Sequence, residues 1–246
     1  MQTLRIGEHA FAPGLWTSVA SAVLTAALLS LGFWQLHRAD EKQALQTAMA
    51  ERDKLPPLQL DVAHVAPDDV AGLMWRRIVV RGTWDGAHQL LLDNQVVAGQ
   101  AGYAVYTPLQ VDRCACALLV NRGWVPIGAS RSAVPDVAVG RSSVAVSGTV
   151  VPVPSPGFGA AGDIESHAPG MLRLQRVDLP ILSARLGREL LPFVVRLDPE
   201  APDGFRRAAP QPDIRPERHV AYAAQWFLLA ALVVAVFVKL NLVPYS

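Results

Sequence analysis

Two long runs without a charged residue, at residues 10–36 and 220–238, constrain the fold of this chain more than any other feature. An α-helix rises about 1.5 Å per residue, so a run of roughly 20 residues crosses a hydrocarbon core of about 30 Å. The residues between the two runs are numerous enough to bury a core of their own. The sequence therefore predicts an integral membrane protein in which two terminal transmembrane helices flank an extramembrane domain.

The first run is expected to be a retained anchor and not a cleaved signal peptide. It is longer than the apolar region of a typical signal peptide and ends without a clear small-residue cleavage site. The short N-terminal segment, with Glu8 and Arg5, does not resemble an organelle transit peptide, so a bacterial inner membrane is the expected location. The expected boundaries are an N-terminal tail at 1–13, transmembrane helix 1 at 14–36, the domain at 37–218, transmembrane helix 2 at 219–240 and a C-terminal tail at 241–246.

The charges exclude one class of partner but leave the orientation open. A net charge of +1 argues against a nucleic-acid-binding protein, which normally has a basic surplus. Basic residues gather at the domain-facing ends of both runs, and the positive-inside rule would then place the domain in the cytoplasm. That rule loses force for loops beyond about 60 residues, and this loop is far longer.

The domain is predicted to be β-rich, in an α+β arrangement with mainly antiparallel strands. Strands are expected at residues 76–84, 88–93, 103–111, 116–121 and 143–151, with weaker candidates at 171–177 and 193–197. Asp85-Gly86 predicts a hairpin between the first two strands. Residues 178–190 are expected to form a short helix capped by Asp178, with Pro180 in its first turn. The Pro-rich stretches 152–170 and 198–216 are expected to be a loop and a linker.

Three further patterns bear on packing. Residues after 37 are good helix formers, so the first helix is expected to continue toward Ala50. Within this helix, a small residue recurs every fourth position, at Ser18, Ala22, Ala26 and Ser30. Such a stripe indicates either close contact with another helix or simply an Ala-rich span. Cys114 and Cys116 form a C-x-C pair on one strand, read as small buried residues or a disulfide, because a metal site needs more ligands. Asn121-Arg122-Gly123-Trp124 predicts a strand ending in a tight bend, for which a folding role is favoured.

His219 opens the second uncharged run and is the strongest candidate for a functional residue. On a helix His219, Tyr222 and Trp226 share one face, and Ala223 and Ala230 leave space beside them. A neutral imidazole is a good axial ligand for haem iron, and a flat apolar ring suits a face of alanines and aromatic residues. The alternative is that His219 caps the helix while Tyr222 and Trp226 form an interfacial aromatic belt.

Basic residues at the ends of both helices are weaker candidates. Arg38, Lys42 and Arg218 could pair with carboxylates of an amphipathic ligand, or could serve with Trp34 as membrane anchors. His37 is a distant candidate for a second axial ligand. The chain has no Gly-rich phosphate loop, no G-x-S-x-G and no H-E-x-x-H motif, so we expect that it is not an enzyme.

Four blocks of residues, in order, resemble the Surfeit locus protein 1 family of cytochrome c oxidase assembly factors. They are Leu31-Gly32-Phe33-Trp34-Gln35-x-x-Arg38-x-x-x-Lys42; Arg77-x-Val79-x-x-Gly82-x-Trp84; Gly102-Tyr103-x-Val105-x-Thr107-Pro108-Leu109 with Leu119-Val120-Asn121-Arg122-Gly123-Trp124-Val125-Pro126; and His219-x-x-Tyr222-Ala223-x-x-Trp226-Phe227. The chain departs from the family pattern at Arg218, where the family often has asparagine, and at Glu41, where it often has an aromatic residue.

The resemblance implies a multi-pass membrane protein whose large domain is periplasmic and which delivers or stabilises haem a during maturation of oxidase subunit I. It makes His219 the axial ligand of the haem iron. The hypothesis built on it has Tyr222 and Trp226 packing the ring, with Arg38 and Arg218 as weaker candidates for the propionates. The implied partners are oxidase subunit I, haem a synthase and membrane lipid. The alternative is a haem-free, membrane-anchored scaffold that docks nascent oxidase subunits.

Overall fold

The computed structural model describes residues 4–6, 9–60, 69–128, 130–131, 133–154, 164–207 and 215–244. The helices are α1 (Leu15–Asp53), α2 (Val70–Leu73), α3 (Leu179–Leu186) and α4 (Pro216–Asn241). The strands are β1 (Leu4–Ile6), β2 (His9–Phe11), β3 (Leu58–Gln59), β4 (Arg77–Trp84), β5 (Gln89–Val97), β6 (Gln100–Val111), β7 (Cys116–Pro126), β8 (Ser143–Val151), β9 (Glu165–Ala168), β10 (Met171–Leu174), β11 (Glu189–Leu197) and β12 (Leu242–Pro244). The chain forms two compact units, residues 1–47 with 212–246, and residues 48–211.

Helices α1 and α4 are each long and apolar enough to cross a membrane, which confirms the prediction of two apolar terminal helices around a β-rich region. The first helix continues past Ala50, as expected, and ends at Asp53. The second begins at Pro216, whose missing N–H costs nothing in the first turn of a helix. The membrane-spanning ranges themselves, 14–36 and 219–240, stay predictions.

The buried stripe of α1 is not the small-residue stripe expected from the sequence. Ala22, Ala26 and Ser30 are exposed, and Leu28, Gly32 and Ala39 are buried instead. A spacing of four residues drifts around a helix of 3.6 residues per turn, whereas spacings that alternate between three and four stay on one face. The contact face therefore follows the alternating pattern.

The predicted terminal tails contain paired strands. Within the described residues, β1, β2 and β12 form a small antiparallel sheet, in which β2 is the central strand. The ring of Phe11 also meets that of Phe237 edge-on, with centroids 5.9 Å apart. The start of α1 thus lies beside the end of α4, which shows that the two helices pack antiparallel.

The second unit is built on a closed barrel. In the described part of the chain, five strands follow one another in the order β4-β8-β11-β7-β6, and β6 pairs back to β4. Buried side chains from all five strands fill the interior: Ile78, Val80, Trp84, Leu109, Val111, Leu118, Val120, Val146, Val150, Phe193, Val195 and Leu197. The sheet continues from β6 through β5, β10 and β9, and α3 packs against its outer face with the buried Leu182.

Most neighbouring strands are antiparallel, as predicted, but not every local expectation holds. Strand β7 pairs in parallel with β11, and β5 pairs in parallel with β10. The hairpin predicted at Asp85-Gly86 is absent from the described residues, because β4 pairs with β8 and β6 while β5 pairs with β6 and β10. The Asp85 carboxylate accepts the N–H of Ala87, so the turn forms, but burial of β4 in the barrel selects its partners.

Two Pro-rich stretches are partly more ordered than their composition indicates, and the ends of one helix and one strand differ from the prediction. Strand β9 lies within the stretch 152–170 that was expected to be a loop, and residues 198–207 fold against β7 where Trp124 bridges to Arg206. The remainders, 155–163 and 208–214, lie outside the described residues. Helix α3 is capped by Asp178, as predicted, but ends at Leu186 because Gly187 is left-handed and β11 follows. Strand β7 does not end at Asn121 but continues to Pro126.

Replacing Gly123 by alanine is expected to lower the free energy of unfolding by about 2–4 kcal/mol. Gly123 has φ +118°, and a Cβ there would lie 2.8 Å from the carbonyl oxygen of Arg206. Urea unfolding of the detergent-purified full chain, followed by tryptophan fluorescence, measures the loss. Gly99→Ala is the control, since Gly99 has φ +79° with open space around it and should cost only about 1 kcal/mol. Equal losses in the two variants would contradict the close approach.

Candidate functional site

The strongest candidate site lies on the paired helices of the first unit, at His219. Nδ1 of His219 lies 2.7 Å from Oε1 of Gln35. An amide oxygen only accepts hydrogen bonds, so the neutral imidazole donates from Nδ1 and keeps its lone pair on Nε2. Metal-ligating histidines commonly donate their other N–H to a fixed acceptor in this way. With Nδ1 held by Gln35, Nε2 is the nitrogen of His219 that could ligate a metal.

Gln35 is a further candidate residue, which belongs to the first of the four sequence blocks but had no role assigned to it from the sequence. The sequence could have indicated a role for Gln35, because it is a polar residue at the end of an uncharged helical run. An amide buried at such a position needs a hydrogen-bond partner. The missing information was the partner, since Gln35 and His219 are far apart in the sequence. Only the antiparallel packing of α1 on α4 brings the two side chains together.

A close approach between α1 and α4 supports this hydrogen bond. Gly32, one turn before Gln35, is buried, and a Cβ on it would lie 2.4 Å from Cε1 of Phe227. The neighbouring Phe33 meets the Phe227 ring edge-on, with centroids 5.3 Å apart. The absence of a side chain at Gly32 thus sets a helix separation at which Gln35 reaches His219.

The predicted aromatic partners of His219 do not form one open face. Tyr222 is 54% exposed, whereas Trp226 is half-buried. Ala223 and Ala230 are 1% and 2% exposed, so the space they leave is filled within the helix pair. Small residues permit close helix packing, and here that packing takes the space expected for a ligand. The exposed Tyr222 remains available beside His219.

The predicted basic residues differ in their contacts and in their exposure to solvent. Arg38 donates from Nη1 to Oε2 of Glu41 at 2.5 Å, and this hydrogen bond holds the pKa of the Glu41 carboxyl below its usual value. His37 is 76% exposed and its Nε2 lies 3.4 Å from Oε1 of Glu41, so the structure places it with Glu41. Arg218 is exposed in the first turn of α4, and Lys42 is half-buried. An incoming carboxylate would therefore compete with Glu41 for Arg38.

In the second unit, Arg122 organises a buried polar cluster. Its side chain is 1% exposed, and its Nε donates to the carbonyl oxygen of Asp203 at 2.6 Å, while Nη1 donates to that of Val137 at 2.7 Å and to Oγ1 of Thr107 at 3.3 Å. The Phe205 ring centroid lies 4.7 Å from its Cζ. Burial lowers the pKa of Arg122 to about 10, so the guanidinium stays protonated at neutral pH. These contacts support the folding role favoured for this motif.

Comparison with known proteins gives a consistent match. The model of the SURF1 family matches residues 22–231. The chain is similar to a SURF1-like protein of Monosiga brevicollis, with 24% identity over 240 residues covering 92% of this chain and 87% of that protein. It is also similar to Surfeit locus protein 1 of Arabidopsis thaliana, with 28% identity over 120 residues, 45% of this chain and 34% of that protein. For Surfeit locus protein 1 of Takifugu rubripes the identity is 28% over 119 residues, 42% of this chain and 48% of that protein. The chain thus spans about a third of the Arabidopsis relative and about half of the Takifugu relative.

Proposed function

The chain belongs to the SURF1 family of cytochrome c oxidase assembly factors, and we propose that it binds haem a at a membrane boundary and delivers or stabilises it during maturation of oxidase subunit I. The observation that carries this proposal is the hydrogen bond from His219 to Gln35, because it leaves Nε2 free to bind iron. Subunit I and haem a synthase are the proposed protein partners.

Membrane anchoring by α1 and α4 is part of the proposal. In the most apolar 18-residue stretch of each helix, only 6% of α1 and 11% of α4 is buried. A core helix of a water-soluble protein is mostly buried instead. Lipid would cover this exposed apolar surface. We place the chain in a bacterial inner membrane with the β unit on the periplasmic side, which is an oxidising compartment where the Cys114–Cys116 disulfide would persist.

The residues present fit a haem held as exchangeable cargo. His219 would supply the axial ligand through Nε2, and the exposed Tyr222 would contact the edge of the ring. Arg218 and Arg38 would meet the propionates, with Arg38 giving up its contact to Glu41. Trp226 would support the ring from its half-buried position. A single ligating side chain suits a carrier, which has to release its cargo to another protein.

Replacing His219 by alanine is expected to reduce the haem a that copurifies with the protein at least tenfold, because the iron loses its ligand. The measurement is an optical spectrum of the detergent-purified full chain, coexpressed with haem a synthesis and normalised to protein. Gln35→Leu should reduce haem content by about tenfold, since loss of the group that orients a metal-binding histidine typically costs 10–100-fold in affinity.

His37→Ala is the matched control, because His37 is exposed and pairs with Glu41. It should keep the wild-type haem content. A His219→Ala variant with wild-type haem a would contradict the ligand assignment. Colourless wild-type protein would favour the haem-free scaffold, in which the β unit docks nascent oxidase subunits and the helices only anchor it.

A further inference from the structure

We propose that the Cys114–Cys116 disulfide is a thiol–disulfide exchange site that oxidises dithiols of a polypeptide partner. The pair lies at the turn between β6 and β7, at one end of the barrel. The sequence had placed both side chains on one strand, but Cys114 belongs to the turn and Cys116 opens β7. The two sulfurs therefore have different surroundings. Thiol–disulfide exchange at this site does not require bound haem.

The two sulfurs differ in exposure. Cys116 is 6% exposed and belongs to the barrel core. Cys114 is half-buried and lines a surface cavity of about 410 Å³, together with the exposed Asp112 and Arg113. An incoming thiolate can therefore approach Sγ of Cys114, while Sγ of Cys116 is shielded by the barrel. Redox-active cysteine pairs need such an accessible partner, since exchange proceeds by direct attack on one sulfur.

The polar surroundings favour a thiolate at Cys114. The backbone N–H of Cys116 donates to Sγ of Cys114 at 3.1 Å. Such a donor stabilises the negative charge of a thiolate, and the positive charge of the adjacent Arg113 acts in the same direction. Asp112 lines the same cavity and opposes this effect, so the assignment rests on the amide contact. Cys114 is thus a good leaving group in the second step of the exchange, when it is released from the mixed disulfide.

The short loop makes the bond easier to reduce than a structural disulfide. The bridge joins residues that are two positions apart. Stabilisation by a disulfide grows with the length of the loop that it closes, so this loop contributes little. Because one of its sulfurs, that of the half-buried Cys114, also borders a surface cavity, the bond resembles the labile or catalytic disulfides more than a fully buried structural one.

The exchange is a balanced two-electron transfer. A partner thiol gives its proton to solvent, and the resulting thiolate attacks Sγ of Cys114. A mixed disulfide forms, the Cys114–Cys116 bond breaks, and Sγ of Cys116 takes the electron pair and then a proton from solvent. The second partner thiolate then attacks the partner sulfur of the mixed disulfide and expels Cys114 as a thiolate. The partner is left with a disulfide, and this chain is left with two reduced cysteines.

The first test compares two variants that lose the same bond. Cys116→Ser leaves the Cys114 thiol, and Cys114→Ser leaves the Cys116 thiol. In the detergent-purified full chain at pH 7, Cys114 is expected to react with an aromatic disulfide reagent at least tenfold faster than Cys116. Equal rates, or a faster Cys116, would overturn the proposal.

The second test uses the wild-type chain and does not depend on the folding of a variant. The protein is mixed with an equimolar amount of a reduced peptide that contains two cysteines. Samples are taken over time, their free thiols are blocked by alkylation, and the masses of the protein and peptide species are measured by mass spectrometry. We expect a mixed disulfide through Cys114, followed by oxidised peptide in a one-to-one ratio with reduced Cys114–Cys116. A peptide that stays reduced while the Cys114–Cys116 bond persists would show a purely structural disulfide.

Discussion

Replacing Arg122 by methionine is expected to lower the free energy of unfolding of the β unit by about 3–5 kcal/mol. Methionine keeps much of the apolar stem but donates no hydrogen bond. The carbonyl oxygens of Val137 and Asp203 then lose the guanidinium donor, and a buried acceptor left unpaired, as at Val137, costs about 1–3 kcal/mol. The cation–π contact with Phe205 is lost as well.

Urea unfolding of the detergent-purified full chain measures this loss, with the fluorescence of the buried Trp84 and Trp124 as the signal. Arg81→Met is the matched control, because Arg81 lies on barrel strand β4 but is exposed. It should shift the unfolding free energy by less than about 0.5 kcal/mol. Similar losses in Arg122→Met and Arg81→Met would show that the buried cluster does not stabilise the barrel.

Replacing Gly32 by leucine is expected to separate α1 from α4 and to break the hydrogen bond between Gln35 and His219. A Cβ at Gly32 would lie 2.4 Å from the Phe227 ring, well inside van der Waals contact, and the rest of a leucine side chain would need still more space. The Phe227 ring also packs edge-on against Phe33, so a larger side chain at Gly32 is expected to push α4 away from α1. Haem a content should fall as far as in Gln35→Leu, because both changes remove the same hydrogen bond.

A cross-linking experiment tests the helix separation without reference to haem. Cysteines introduced together as Gln35→Cys and His219→Cys should be joined by a short bifunctional thiol reagent, whose spacer replaces the side-chain length that the two substitutions remove, since the native side chains meet at 2.7 Å. Adding Gly32→Leu should reduce the yield of this cross-link at least tenfold. Ala26→Leu is the control, because Ala26 is exposed on the same helix. An unchanged yield with Gly32→Leu would refute the close approach.

Local chemistry allowed several elements to be predicted from the sequence. Strand β8 has the expected bounds, residues 143–151, and Asp178 caps α3 by accepting the N–H of Ile181. Gly123 has the unusual backbone conformation that its motif indicated, although the strand continues through it. Each of these features depends on residues that are neighbours in the chain, so short-range patterns contain the necessary information.

The fold of the barrel depends on contacts that no local pattern specifies. Asp85-Gly86 produces a turn, but β4 pairs with β8 and β6 because its side chains Ile78, Val80 and Trp84 are buried in the barrel. The parallel pairing of β7 with β11 likewise joins strands separated by a long stretch of chain. Strand partners are chosen by which faces can be buried together, and that choice is made by the whole domain.

The candidate site shows the same division. The sequence by itself determined that two apolar helices lie at the ends of the chain and that His219 opens the second, because hydrophobicity and charge are properties of each segment alone. Only the tertiary structure decided that Gln35 orients His219, that Gly32 permits the approach of Phe227, and that Arg122 is enclosed by backbone carbonyls. These are distances between segments remote in sequence, and they exist only once the chain has packed.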